Sequence, residues 1–454
     1  MNRLFLFFLL FQFFQNTLSA QLPKGDRTLG WQIGISENNN YDSAFAYTET
    51  ACIETAHMFF TWSSLEPDTG VYDNDFMNEF LDNINIYFPW HNTKVELQIA
   101  VTNTVAKETP SELLMVDFAD PLMIDRFKRA LDTVFAHIPD LDLVALNIGN
   151  ESSIHFGTDA AEYASFKIFL DSVAPYAKQL YQNIHGTDLK VGTTFAFDRL
   201  TDPATQVLCE SVNASRDIIS VTYYPLNSDF TMEAPTVVSA DFADLIAIYS
   251  DTLKPIHFVE CGYSSSAVCN SSEALQADFY SNVFEAWDAQ YDHIKYLSIF
   301  QSTDWSQDLV DTLAVYYGIN DPIFKEYLRA LGVRTWPGNG TDKLAYDRIL
   351  CELDARNWCM VNCPTTAIPE LPDQKDWHFY QDPNSDLATL SFPSLHIRPE
   401  KLTVFDLHGR VVLQLQNIPS DKITFQTEEL SDGLYLFQLI GDERIISSGR
   451  FILY

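Results

Sequence analysis

"DLVALNIGNESSIH" (142–155) decides how this chain is read. From Leu143 to Gly149 it is almost continuously apolar, with no alternation. That is the pattern of a strand covered on both faces, as in a parallel sheet. The run closes on Asn150-Glu151 and then turns small and polar at Ser152-Ser153. A glutamate closing a buried strand either caps the next element or carries chemistry. What else the chain brings to the same end of the sheet decides between the two.

Seven further runs have the same character: "LGWQIGIS" (29–36), "AHMFFTW" (56–62), "KVELQIAV" (94–101), "KVGTTFAF" (190–197), "DIISVTYY" (217–224), "PIHFVEC" (255–261) and "IKYLSIFQ" (294–301). Amphipathic segments lie between them. "DPLMIDRFKRALDTVFAHI" (120–138) predicts a helix with Asp120 as its cap and Pro121 at the first position. Residues 159–182, 239–253 and 271–290 carry the same period. Eight strands alternating with helices predict an α/β protein, a closed (β/α)8 TIM barrel. A doubly wound open sheet is the competing architecture. No glycine-rich phosphate loop follows the first strand, which disfavours it.

The barrel domain is assigned to 21–363, with 331–363 as a cysteine-containing extension. A linker covers 364–383, opened by the proline-containing "PTTAIPELPDQKD" (364–376). Residues 384–454 read as a small antiparallel β-sandwich, in which "KLTVFDLHGRVVLQLQ" (401–416) forms a hairpin turning at His408-Gly409.

The 454 residues are 46% hydrophobic and 14% aromatic, ample for a core. Acidic residues number 62 against 28 basic ones, a net charge of −34. Such a surface disfavours nucleic acid and anionic membranes as partners. At the N-terminus, Arg3 and "LFLFFLLFQFF", followed by "TLSA", read as a signal peptide over 1–20. The apolar run is shorter than a spanning helix needs, and no later stretch reaches that length. The mature chain is expected to be soluble and without a membrane span. Export permits disulfides. Cys261 with Cys269, and Cys351 with Cys359 or Cys363, are local candidates, and the seven cysteines leave at least one thiol over.

A barrel of this kind carries its site at the C-terminal ends of the strands. There, only strands four and seven have a glutamate directly closing an apolar run: Glu151 and Glu260. Two opposed carboxyl groups are what glycoside hydrolysis requires, one to protonate the leaving oxygen and one to attack the anomeric carbon or activate water. Asn150 is placed to meet a sugar hydroxyl. Trp62, Tyr223, Tyr224 and Trp305 stand at other strand ends, where aromatic faces can stack on sugar rings. Core packing is an equal alternative for Trp62. His155 follows Glu151 in a loop and is a candidate for the cleft wall. His257 lies within a strand and reads as a satisfied core histidine. No metal ligand set and no cofactor are implied.

"LNIGNESS" and "IHFVECGY" resemble the acid/base and nucleophile motifs of the clan A glycoside hydrolases, retaining (β/α)8 enzymes. The resemblance implies that Glu151 is the acid/base, Glu260 the nucleophile and Asn150 a contact to the sugar 2-hydroxyl. "FTWSSLEPDTGVYD" (60–73), "VTYYPL" (221–226) and Trp305 are similar to the strand-two, strand-six and strand-eight segments of that clan. The clan usually has proline after Asn-Glu, where this chain has Ser152. The C-terminal stretch from "LTVFDLHGRVV" to "GRFIL" resembles the sorting domain of the type IX secretion system of Bacteroidetes. It implies passage through the periplasm and outer membrane to the surface or the medium. The expected function is a secreted glycoside hydrolase acting on a β-linked poly- or oligosaccharide by retaining double displacement. The alternatives are a non-catalytic glycan binder or an adhesin that uses the barrel as a scaffold.

Overall fold

The computed structural model describes residues 21–250, 252–361 and 363, and most of 378–453 in short stretches. The segments read as signal peptide and linker lie outside the described residues, except for 378–381. The chain divides into two compact units, one ending at Pro364 and one beginning at Thr365.

The first unit is a parallel barrel. Its strands are β1 (Thr28–Trp31), β2 (Thr55–Thr61), β3 (Lys94–Asn103), β4 (Leu143–Asn150), β5 (Val191–Gly192 continued by Thr194–Ala196), β6 (Ile219–Tyr223), β7 (Ile256–Cys261) and β8 (Ile294–Ile299). Each pairs in parallel with the next, and β8 closes on β1 through Thr28↔Tyr296 to Trp31↔Ile299. The strands fall where the apolar runs predict. β1 stops earlier than expected, at Trp31.

The connecting helices are α1 (Tyr41–Thr50), α2 (Asp82–Trp90), α3 (Pro121–His137), α4 (Ala160–His185), α5 (Gln206–Asn213), α6 (Val238–Tyr249) and α7 (Glu273–Ala289). After β8 come α8 (Gln307–Tyr317), α9 (Pro322–Arg329) and α10 (Leu344–Ala355). Asp120 caps α3 by accepting from the Leu122 amide, with Pro121 in the first turn. The buried face of α3 includes Met123, Phe127, Leu131 and Val134, spaced by three and four. No helix among the described residues is long and apolar enough to cross a membrane.

The barrel interior is partly polar, and part of it is hydrogen-bonded across strands. Glu96 Oε1 accepts from Asn147 Nδ2 at 2.8 Å and lies 3.1 Å from His257 Nδ1. His257 is therefore a core histidine, as its place in the strand predicts. Gln98 Oε1 lies 2.9 Å from His57 Nε2, and burial holds His57 below the usual histidine value. Gly30 is required on β1: a Cβ there would sit 2.2 Å from the Tyr296 hydroxyl oxygen.

Cys52–Cys359 ties the extension to the barrel, and Cys351–Cys363 closes a short loop within the extension. The proposed Cys261–Cys269 bridge is absent: both are free and buried, as is Cys209. Cys261 belongs to β7 and points into the core, out of a partner's reach.

The second unit contains two antiparallel sheets. One has the order β9 (His378–Gln381), β10 (Leu387–Ser391), β13 (Lys422–Gln426); the other β12 (Val411–Gln416), β11 (Lys401–Phe405), β14 (Gly433–Gly441), β15 (Arg444–Leu453). Their shared core includes Leu390, Leu402, Ile423, Phe425, Phe437 and Phe451, which makes the expected sandwich. β11 and β12 form the predicted hairpin, whose turn at His408-Gly409 lies outside the described residues. β9 falls within the stretch read as linker. Its Phe379 stacks on Phe451 at 4.5 Å.

Cys52–Cys359 closes a loop of 307 residues. Replacing both cysteines by serine is expected to cost about 2–5 kcal/mol, because a long loop is released in the unfolded chain. Thermal unfolding of the double variant, with and without reductant, checks this: the wild type should lose stability on reduction and the variant far less.

Candidate active site

β4 ends in a strained turn that aims Glu151. Gly149 has φ +93°, and a Cβ there would lie 2.5 Å from Ser152 Oγ and 3.1 Å from Phe166. Glu151 itself is left-handed at φ 45°. Facing it, Thr104 also has a positive φ, 47°, and its amide donates to the Asn150 carbonyl at 3.1 Å. Each such non-glycine residue costs on the order of 1–3 kcal/mol, a strain that clusters at functional sites. Ser152 anchors the turn: its hydroxyl is buried and 2.6 Å from Thr102 Oγ1 on β3.

Both oxygens of Glu151 are held by hydroxyls. Thr222 on β6 donates to Oε1 at 2.6 Å and Thr104 donates to Oε2 at 2.7 Å. At the end of β7, Glu260 accepts at Oε2 from the Tyr224 hydroxyl at 2.6 Å. Both carboxyls are half-buried, and neither is paired with a cation among the described residues. Burial raises the Glu151 pKa, the two threonines oppose that, and the Asp198 charge adds a smaller upward push. Burial first, and the charge of Glu151 second, push Glu260 up to about 8 against the pull of Tyr224. The two carboxyls thus feel each other, and Glu260 carries the resolved Coulombic push of its opposite.

The other predicted residues divide. Asn150 is buried, with Oδ1 accepting from Gln98 at 2.7 Å and Nδ2 donating to Asn103 Oδ1 at 2.9 Å. Its second amide hydrogen remains. Tyr224 is at the site, as the partner of Glu260. Trp305 is half-buried and perpendicular to Phe300 at 5.7 Å, which is perpendicular to Tyr224 at 5.4 Å. A ladder of rings therefore connects Trp305 to the partner of Glu260.

Two placements need correction, those of Trp62 and Tyr223. Trp62 is fully buried: a short helix, Trp62–Leu65, begins at this residue and turns the indole inward. Its Nε1 donates to Glu66 Oε2 at 3.0 Å, and Glu66 is paired with Arg126. Tyr223 is also core, its hydroxyl donating to Asp241 Oδ2 at 2.5 Å and its ring on Phe197, Phe242 and Phe279. Neighbouring strand residues face opposite ways, so Tyr223 points to the helices while Tyr224 reaches the mouth. His155 is exposed beside the Val105 carbonyl at 3.2 Å, with no contact to either glutamate among the described residues.

The structure adds Thr104, Thr222, Tyr317 and Tyr327. Burial and then the charge of Glu151 raise both tyrosines, and Glu260 adds to each. These residues carry no strand-closing signal that would mark them in sequence.

Residues 378–453 match the family described as Secretion system C-terminal sorting domain. This tail indicates secretion through the type IX system, to the cell surface or outside the cell. Among solved structures, a GH5_18 protein from Bifidobacterium longum subsp. longum matches with a TM-score of 0.56 at 13% identity, over 74% of this chain and 80% of that one. An alanine variant of it is in complex with Manβ1-4GlcNAc. An exo-β-1,4-mannosidase, Op5Man5 from Opitutaceae bacterium strain TAV5, matches with a TM-score of 0.53 at 13% identity, over 75% and 61%. The barrel therefore has a fold found in glycoside hydrolases. No curated protein sequence matches the chain.

Replacing Tyr224 by phenylalanine removes the donor that favours ionised Glu260. If the pair catalyses hydrolysis, kcat/KM should fall about tenfold or more, and the limb of its pH profile set by Glu260 should move to higher pH. A pH–rate profile of the variant against wild type is the check.

Proposed function

We propose that the protein is a secreted glycoside hydrolase that cleaves O-glycosidic bonds of a β-linked poly- or oligosaccharide with retention. The carrying observation is the pair Glu151 and Glu260, on β4 and β7, each raised by burial and Glu260 raised further by the charge of its opposite. The fold shared with GH5_18 proteins and an exo-β-1,4-mannosidase is compatible with this reading.

In the first step Glu260 attacks the anomeric carbon as the C–O bond to the leaving group breaks. Glu151 delivers its proton to the departing oxygen. Esterified Glu260 no longer carries charge, so Glu151 stays ionised and accepts a proton from water. The resulting hydroxide attacks the anomeric carbon and frees Glu260. Tyr224 stabilises the Glu260 carboxylate before attack and after release. The threonine pair holds Glu151, and Asn150 offers its free amide hydrogen to the sugar 2-hydroxyl.

The active form has Glu260 ionised and Glu151 protonated; burial raises both carboxyls, so the rate should fall at low pH as Glu260 takes up a proton and at high pH as Glu151 loses its own, with the whole profile displaced upward from that of solvated carboxyls. Glu151→Gln should lower kcat on an unactivated β-glycoside about 10²–10⁴-fold, and Glu260→Gln should abolish turnover. A polysaccharide and oligosaccharide panel run beside both variants, with the first-formed anomer followed by NMR, checks this. Activity that survives both substitutions contradicts the mechanism. A non-catalytic glycan binder would bind sugars with no turnover even in wild type.

A further inference from the structure

The helices after β8 do more than close the chain. Tyr316, at the end of α8, brings its hydroxyl 2.9 Å from the Asn103 carbonyl and 2.8 Å from Glu108 Oε1, in the segment after β3. At the other end, Glu326 on α9 accepts from Ser266 Oγ at 2.9 Å, in the segment after β7. Phe324 lies 4.8 Å from Phe230, after β6. β3 and β7 are four strands apart in a ring of eight, so these anchor points face each other across the mouth.

The strap runs from β8 to the β3 segment and back to the segments after β6 and β7, and so spans the mouth. Glu151 on β4 and Glu260 on β7 define where the scissile bond lies. The strap spans the mouth beside that position. Its Tyr317 and Tyr327 both lie within electrostatic reach of the two carboxyls, and Tyr317 stands edge-on to Phe324 at 5.5 Å. Tyr327 also packs edge-on against Tyr224 at 6.0 Å. The wall therefore stands at the scissile position rather than several sugars away.

We infer that the α8–α9 strap makes the site a blind pocket that accepts a chain end, so that the protein releases terminal sugars and does not cut within a polymer. This rests on the glycoside hydrolase reading above. It limits the substrates to glycosides with an accessible terminus, small aryl glycosides included.

Two substrate sets separate the possibilities. Wild-type protein is assayed on a panel of 4-nitrophenyl β-glycosides and reduced oligosaccharides, and in parallel on dye-cross-linked polysaccharides. Release of nitrophenol and monosaccharide without dye release is expected. Dye release, or oligosaccharides as first products, overturns the pocket while leaving hydrolysis intact. No cleavage in either set overturns hydrolysis and the pocket with it. Tyr316→Phe loosens the strap at β3 without touching either carboxyl. It should raise KM for the best aryl glycoside about tenfold, with kcat held within about twofold. A fall in apparent kcat at constant KM would mean that Tyr316 only supports folding, and would count against the strap as the pocket wall.

Discussion

Two carboxyl groups sit half-buried at the mouth of the barrel, and no cation among the described residues offsets them. Such groups are costly to ionise together, and their surroundings answer that cost with hydroxyls rather than with charge. Thr104 and Thr222 grip one, and Tyr224 grips the other. Hydroxyl donors steady a carboxylate without neutralising it, so the proton can still move. An arginine in the same place would hold the carboxyl ionised and end its use as an acid.

Geometry at the end of β4 serves the same constraint. Gly149 at φ +93° lets the chain turn sharply, Glu151 takes a left-handed conformation, and Ser152 fastens the turn to Thr102. Serine at the position where the clan usually carries proline supplies a buried hydroxyl that proline lacks. The departure is thus accommodated by an interstrand bond. Beneath the turn, Asn150, Gln98 and His57 form a buried polar chain that fixes the height of β4 against β3 and β2.

Much of the barrel is legible in the sequence because buried parallel strands are short continuous apolar runs, and helices carry a different period. Glu151 and Glu260 are legible for the same reason, each being an acid where such a run stops. Side-chain direction just past a strand is not. Trp62 turns inward because a helix starts there, and Tyr223 faces the helices because its neighbour Tyr224 takes the mouth. Threonines carry no distinguishing signal, so the grip on Glu151 shows only in three dimensions. Tyr316 meets Asn103 across the mouth, and Cys52 meets Cys359 across a separation of 307 residues. Contacts at such separation leave no local pattern.

In the proposed mechanism Glu260 becomes covalently bound to the sugar while Glu151 holds and returns the proton. Trapping tests it most directly. The protein is incubated with a 2-deoxy-2-fluoro-β-glycosyl fluoride of the sugar it hydrolyses, digested, and sequenced by mass spectrometry. One stoichiometric adduct is expected, on Glu260, formed in wild type and absent in Glu260→Gln. An adduct on another residue, or turnover that gives the inverted anomer with no adduct at all, would contradict it.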